Sequence, residues 1–154
     1  MGYSRSSARV ATRSAYFNNG YCAVFSEGRF GYVNEMGEVT CPVEHDQRLA
    51  EIFSHFAISS GLDGSQAMIS AEGGLVDKDF AGLEAKFYTD NDSKLLKAQD
   101  ASGKWGVVDW LGNAVVDFNC SSPERILINR FGTLAFVDDD DFNRTVYLFD
   151  GYPQ

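Results

Sequence analysis

Apolar and polar residues alternate one for one along Val39-Thr40-Cys41-Pro42-Val43 and again along Leu83-Glu84-Ala85-Lys86-Phe87. Successive side chains of a strand point to opposite faces. A period of two therefore predicts short strands with one face on a core and the other in water. Between these stretches the period changes. Leu49, Ile52, Phe53 and Phe56 fall at i, i+3, i+4 and i+7 of Gln47–Phe56. That spacing predicts one apolar face of a short inserted helix, with Asp46 as its N-cap. Two strands are the alternative reading of the same residues.

Glycine and Asx residues punctuate the apolar runs at recurring offsets. Gly28-Arg29-Phe30-Gly31-Tyr32-Val33-Asn34 is followed by Glu35-Met36-Gly37 and then by Glu38-Val39-Thr40-Cys41-Pro42-Val43. Gly103-Lys104-Trp105-Gly106-Val107-Val108-Asp109 is followed by Trp110-Leu111-Gly112 and then by Asn113-Ala114-Val115-Val116-Asp117-Phe118. Both read as strand, turn, strand. The Asn or Asp opens the turn by bonding the backbone two residues on, and the glycine closes it where a left-handed backbone carries no Cβ penalty. A further copy runs from Gly64 through Gly73-Gly74-Leu75-Val76-Asp77 to Phe87, without the aromatic. A fourth runs from Phe131-Gly132 past an acidic loop to Gly151. The aligned glycines Gly31, Gly74 and Gly106 are 43 and 32 residues apart, so the period carries insertions. Terminal members of such arrays are commonly atypical because they cap it.

The segment Gly103–Asp109 with Gly112 and the Val115-Val116 pair resembles the WG repeat, a bacterial β-repeat of the pattern GKWGxID..G..VI. Gly28–Asn34 with Gly37, Val39 and Pro42-Val43 is similar to it, with Phe30 in place of Trp. The steps Ala23-Val24, Ala67-Met68 and Ala135-Phe136 resemble the strand that precedes the motif. The resemblance spans about residues 16–150 and implies antiparallel β-hairpin or meander units stacked into an elongated or curved array. It implies an interaction module rather than an enzyme. The fold expected is thus all-β with a minor α component: a basic tail or first strand over residues 1–15, then one repeat domain over 16–154.

Composition bears on partners more than on fold. The chain has 154 residues, enough for one domain with a true core, and 44% hydrophobic residues exclude a disordered chain. Its net charge is −9. Arg5, Arg9 and Arg13 stand in an acid-free N-terminal stretch, so the rest of the chain sets ten of the 13 basic residues against all 22 acidic ones. Such a body repels phosphates and anionic membranes and attracts a basic partner. Nucleic acid and membrane are therefore not expected as partners. No run is apolar and long enough for a membrane helix, and the unpaired cysteines lead to the expectation of a cytoplasmic location. Cys22, Cys41 and Cys120 are odd in number and lack paired spacing, so they are expected as reduced core residues rather than a disulfide or zinc set.

The candidate sites are places where the repeat lapses. Trp105 is the aromatic of the repeat and is expected to pack. Trp110 lies within a turn that needs no large side chain, so an exposed binding role is expected of it. Asp138, Asp139, Asp140 and Asp141, followed by Phe142, form the densest charge in the chain. They lack the alternating ligands, glycine and closing Glu of a calcium loop. They are expected to dock a basic partner with Phe142 as a neighbouring apolar anchor. Asp90-Asn91-Asp92 reads as ordinary turn chemistry. His45 and His55 flank the inserted segment, but no nucleophile motif accompanies them, so neither catalytic residues nor a cofactor or metal is expected. The function expected is a non-catalytic protein-binding repeat module. A specific form of it is a stand-alone acidic inhibitor or immunity protein that neutralises a basic partner. The alternative is a carbohydrate-binding β-repeat protein.

Overall fold

A computed structural model describes residues 20–78, 80–85, 94–129, 132 and 134–149. These residues form fourteen strands in four antiparallel sheets, with 3-10 turns as the helical component among them. The chain divides into two compact units, 1–77 and 78–154. The expected residues 1–15, Phe87 and the Asp90-Asn91-Asp92 stretch lie outside the described residues.

In the first unit, β1 (Tyr21–Ser26), β2 (Arg29–Asn34) and β3 (Val39–Asp46) form a meander. Ser26 pairs with Arg29 across a two-residue turn. Glu27 and Gly28 there have φ of 53° and 80°, the left-handed pair that matches the twist of a hairpin. A 3-10 turn at Gln47–Leu49 leads into β4 (Ala50–Ile52), β5 (Phe56–Ser60), β6 (Gln66–Ser70) and β7 (Gly74–Leu75), a second sheet in chain order. Phe30, Tyr32, Cys41, Ala57, Ile69 and Ala71 share one buried cluster, and Cys22, Val24 and Val33 another. The Tyr32 hydroxyl donates 2.8 Å to the Phe53 carbonyl inside this core, meeting the need of a buried phenol for a partner.

The expected helix is absent from 47–56. Asp46 does cap, its carboxylate accepting from the Arg48 amide at 2.9 Å, but the turn it caps is three residues long. The apolar spacing is satisfied another way. Phe53 and Phe56 flank a tight turn closed by the Phe53 amide on the Phe56 carbonyl at 2.8 Å. Their rings stack across it, 4.8 Å apart, and both are buried. A separation of three brings side chains together across a reversal as well as along a helix, and the burial of both rings decides for the reversal.

The second unit repeats this order. β8 (Gly82–Glu84), β9 (Leu95–Gln99), β10 (Trp105–Asp109) and β11 (Ala114–Cys120) form one sheet. A 3-10 turn at Pro123–Arg125 follows, capped by Ser122, whose hydroxyl accepts from the Glu124 amide. Then come β12 (Ile126–Ile128), β13 (Leu134–Asp138) and β14 (Arg144–Leu148). Leu95, Val107, Val116, Cys120 and Ile126 make its buried cluster, and Trp105 packs against it half-buried.

Each unit is therefore meander, side-chain-capped 3-10 turn, meander. The expected second copy is not a sheet of its own. Its strands divide, β7 pairing with β6 and β8 with β9, so its Gly73-Gly74 pair closes one sheet and its Leu83 opens the next. Both glycines have positive φ, 101° and 86°, which turns the chain back on β6 after a loop too short for another geometry.

Candidate functional site

One turn geometry recurs at four hairpins. Asn34 Oδ1 accepts from the amides of Met36 and Glu38, both at 3.0 Å. Asp100 Oδ1 accepts from Ser102 and Lys104 at 3.0 and 3.1 Å. Asp109 Oδ1 accepts from Leu111 and Asn113 at 2.9 and 2.8 Å, and Asp139 Oδ1 from Asp141 and Asn143, both at 2.9 Å. A single oxygen thus staples residues two and four ahead. The residue three ahead must then adopt positive φ. It is Gly37, Gly103 and Gly112 in three of the turns, at 81°, 90° and 93°. In the fourth it is Phe142, at 62°.

That phenylalanine is 78% exposed. An L-residue in the left-handed region costs about 1–2 kcal/mol, which glycine avoids. Across from it stands Arg125, the last residue of the capped 3-10 turn. Its guanidinium carbon lies 5.3 Å from the centre of the Phe142 ring. Its Nη1 donates to the Asp139 carbonyl at 2.5 Å, and its Nη2 stands 3.7 Å from Asp140 Oδ1. Ser121, Ser122, Glu124, Arg125, Asp138 and Phe142 line a cleft of about 350 Å3 between the two turns.

The four acidic residues do not act alike. Asp138 ends β13 and is held by two bonds from Arg144, Nε to Oδ1 at 2.8 Å and Nη2 to Oδ2 at 3.1 Å. That pairing keeps its carboxyl below the usual range. Asp139 is the staple, and the Asn143 amide bonded to it lowers its carboxyl likewise. Asp140 leans on Arg125 and is 87% exposed in its side chain. Asp141 is exposed. Within the expected docking set of Asp138, Asp139, Asp140, Asp141 and Phe142 the carboxylates thus differ in role. Two carboxylates hold the hairpin, and Asp140, Asp141 and the ring of Phe142 face outward.

Trp110 is half-buried rather than fully presented. It lies in the turn between Asp109 and Asn113, at the end of β10–β11 where Val108 pairs with Ala114. The cleft abuts the other end, where Trp105 pairs with Cys120 and the chain passes to Ser121. The seven residues of β11 separate the two, about 20 Å of strand. Trp110 and the acidic turn are therefore not parts of one patch. Sequence reasoning missed Arg125 and Ser122; the Ser-Ser-Pro-Glu start of a turn before Arg125 was the available signal.

The thiols and imidazoles are core groups. Cys22, Cys41 and Cys120 are buried thiols outside any disulfide; burial pushes the Cys41 thiol up to about 11 and raises the other two. His45 Nε2 is buried against Phe30 without a hydrogen-bond partner, and burial lowers its pKa. His55 is 2% exposed and stands 3.2 Å from Ser54 through Nδ1. Among the described residues no three His, Cys, Asp or Glu side chains converge as a metal site. Among those residues, too, no helix is long and apolar enough to cross a membrane.

No family model and no curated protein matches the chain. Among solved structures it is similar to BamB from Moraxella catarrhalis, with 13% sequence identity and a TM-score of 0.33, over 88% of this chain and 44% of that one. The chain spans less than half the length of that protein.

Proposed function

We propose that the chain is a WG-repeat-like, non-catalytic protein-binding module that takes a basic protein partner at the turn carrying Phe142. The observation that carries this reading is the exchange of glycine for phenylalanine at one of four equivalent turns. Glycine adopts that φ without a Cβ penalty, as Gly37, Gly103 and Gly112 do. An exposed aromatic held at a strained position is the kind of feature that persists for contact. Around it Asp140, Asp141 and Glu124 outnumber Arg125, so the surface stays acidic once Asp138 has paired with Arg144. A basic surface meets that charge, and its apolar centre meets the ring.

In the version the charge favours, the protein is an acidic inhibitor, of the immunity-protein kind, that neutralises a basic toxin or nuclease. Affinity capture tests the reading, with the wild-type chain set against Phe142→Ala and an Asp140→Asn/Asp141→Asn pair. The wild type retains a basic protein at low salt and releases it at high salt. Each variant weakens retention about tenfold, the scale of a buried aromatic or of two interfacial charges. Retention indifferent to salt and to both variants overturns it.

A further inference from the structure

Among the described residues the two units differ at two strand edges: β8 covers β9 where no strand covers β1, and β7 covers β6 where none covers β14. In the first unit the outer edge of β6 is covered by β7, with Ile69 paired to Leu75, Ser70 to Gly74, and the Met68 carbonyl accepting from the Val76 amide at 2.9 Å. β14 is the corresponding strand of the second unit, the third after the capped 3-10 turn. Among the described residues it pairs with β13 alone.

The hydrogen-bond phase of this edge is fixed by the turn. The Asp139 amide donates to the Asn143 carbonyl, and pairing then runs Asp138 with Arg144, Val137 with Thr145 and Phe136 with Val146. Bonded and non-bonded pairs alternate in an antiparallel ladder. Thr145 and Tyr147 therefore spend their backbone groups on β13, while those of Arg144, Val146 and Leu148 point outward. The side chains of Val146 and Leu148 lie on one face and are 50% and 69% exposed. Leu127, in register with them through Phe136, is 50% exposed. At the place matching Val146 in the first unit, Met68, paired with Ile58, is 0% exposed. An open edge with an apolar row beside it is a template for another strand.

We infer that β14 takes an added antiparallel strand from a partner protein, an extended segment with alternate apolar residues and a Lys or Arg near its C-terminal end. The direction sets the charge. A strand antiparallel to β14 begins opposite Leu148 and ends opposite Arg144, beside the turn that carries Asp139 and Asp141. Arg144 is already paired with Asp138, so the excess charge met there is negative. Its alternate side chains would cover Val146 and Leu148, and its backbone would satisfy the outward groups. A second copy of this chain fits worse, since two bodies of net charge −9 repel. The inference rests on the reading that the partner is a protein, and it names how that partner binds.

The test uses a positional-scanning set of nine-residue peptides with Val, Ile or Thr at alternate positions, ending either in Lys-Arg or in Glu-Glu. Amide hydrogen exchange of the full chain is followed residue by residue. Members of the Lys-Arg set slow exchange at Arg144, Val146 and Leu148 at least tenfold and leave Thr145 and Tyr147 unchanged. The Glu-Glu set does not. Val146→Pro, which removes an outward donor, abolishes the effect, and so does Val146→Lys/Leu148→Lys, which keeps the strand and blocks its face. If no peptide slows the outward amides, the inference fails. It fails equally if they are slow without peptide in proportion to protein concentration, which assigns the edge to a second copy. Retention of a basic protein that depends on Phe142 while these amides stay unprotected overturns the added strand alone. Peptide protection without any Phe142-dependent partner overturns the proposed turn site alone.

Discussion

The carbonyl oxygen of Val116 lies 2.5 Å from where a Cβ on Gly106 would stand, with the Asp117 carbonyl at 3.0 Å. The register between β10 and β11 shifts on either side of Val107, and this irregularity drives the β11 backbone towards the glycine. Gly31 meets the carbonyls of Cys41 and Pro42 in the same way, at the register shift between β2 and β3. Gly31 and Gly106 are thus held by close backbone approach and not by positive φ, whereas the aligned Gly74 has φ of 86°.

Gly106→Ala is accordingly expected to destabilise the protein by about 1–3 kcal/mol, because backbone cannot yield as a side chain would. Gly103→Ala differs in cause. Its φ is 90° and the nearest atom to an added Cβ is Gln99 Nε2 at 3.8 Å, so only conformational strain of about 1 kcal/mol is expected. Denaturant midpoints of the two variants check this. Equal losses would remove the close approach as the reason for the motif glycine.

Asp109 is 6% exposed and staples its turn through two amides. Asp109→Ala leaves both donors unmatched, and about 1–2 kcal/mol of stability should be lost. Asp109→Asn should retain most of it, since Asn34 performs the same task with a neutral amide oxygen. An Asn variant as unstable as the Ala variant in thermal unfolding would mean that charge, not staple geometry, holds the turn.

Acid should weaken the fold through several carboxylates together. The side-chain bond from Arg48 holds Asp46 down to about 2. Ser102 and Ser65 lower Asp100 and Asp63, and Arg144 lowers Asp138. A carboxyl whose folded pKa is depressed stabilises the fold above its unfolded value, near 3.9, and loses that contribution as pH falls through the folded value. The thermal midpoint should therefore hold from neutral pH to about pH 4 and decline below it. Asp46→Asn should flatten the part of the decline nearest pH 2. A midpoint independent of pH between 4 and 2 would remove these pairings as contributors.

The strands were legible because alternation and Gly–Asx turn chemistry are local. Asn34, Asp109, Gly37 and Gly112 take the places their spacing predicts. The 47–56 segment was not, because spacings of three and four suit a helix and a tight reversal alike, and only the shared burial of Phe53 and Phe56 separates them. Phe142 was legible as a residue and Asp139 as a charge. Their relation was hidden, since the sequence there has no glycine to mark the fourth staple. Arg125 reaches that turn across a different strand pair, and no local pattern carries a contact between residues 14 positions apart.

Phe142→Gly separates stability from binding at that turn. Glycine at φ 62° removes strain of about 1–2 kcal/mol but loses more backbone entropy on folding, about 0.5–1 kcal/mol. The contact with Arg125 is also given up, about 0.5–1 kcal/mol at an exposed site. The balance lies within about 1 kcal/mol of zero, so the denaturant midpoint should barely move. Phe142→Ala keeps the strain and loses the ring, and should unfold at lower denaturant than Phe142→Gly. Both variants should lose the proposed basic partner about equally, because both remove the ring. A glycine variant that keeps full affinity would place the contact elsewhere and leave Phe142 as an accident of turn sequence. A glycine variant much less stable than wild type would instead make the Arg125 contact the reason for the aromatic.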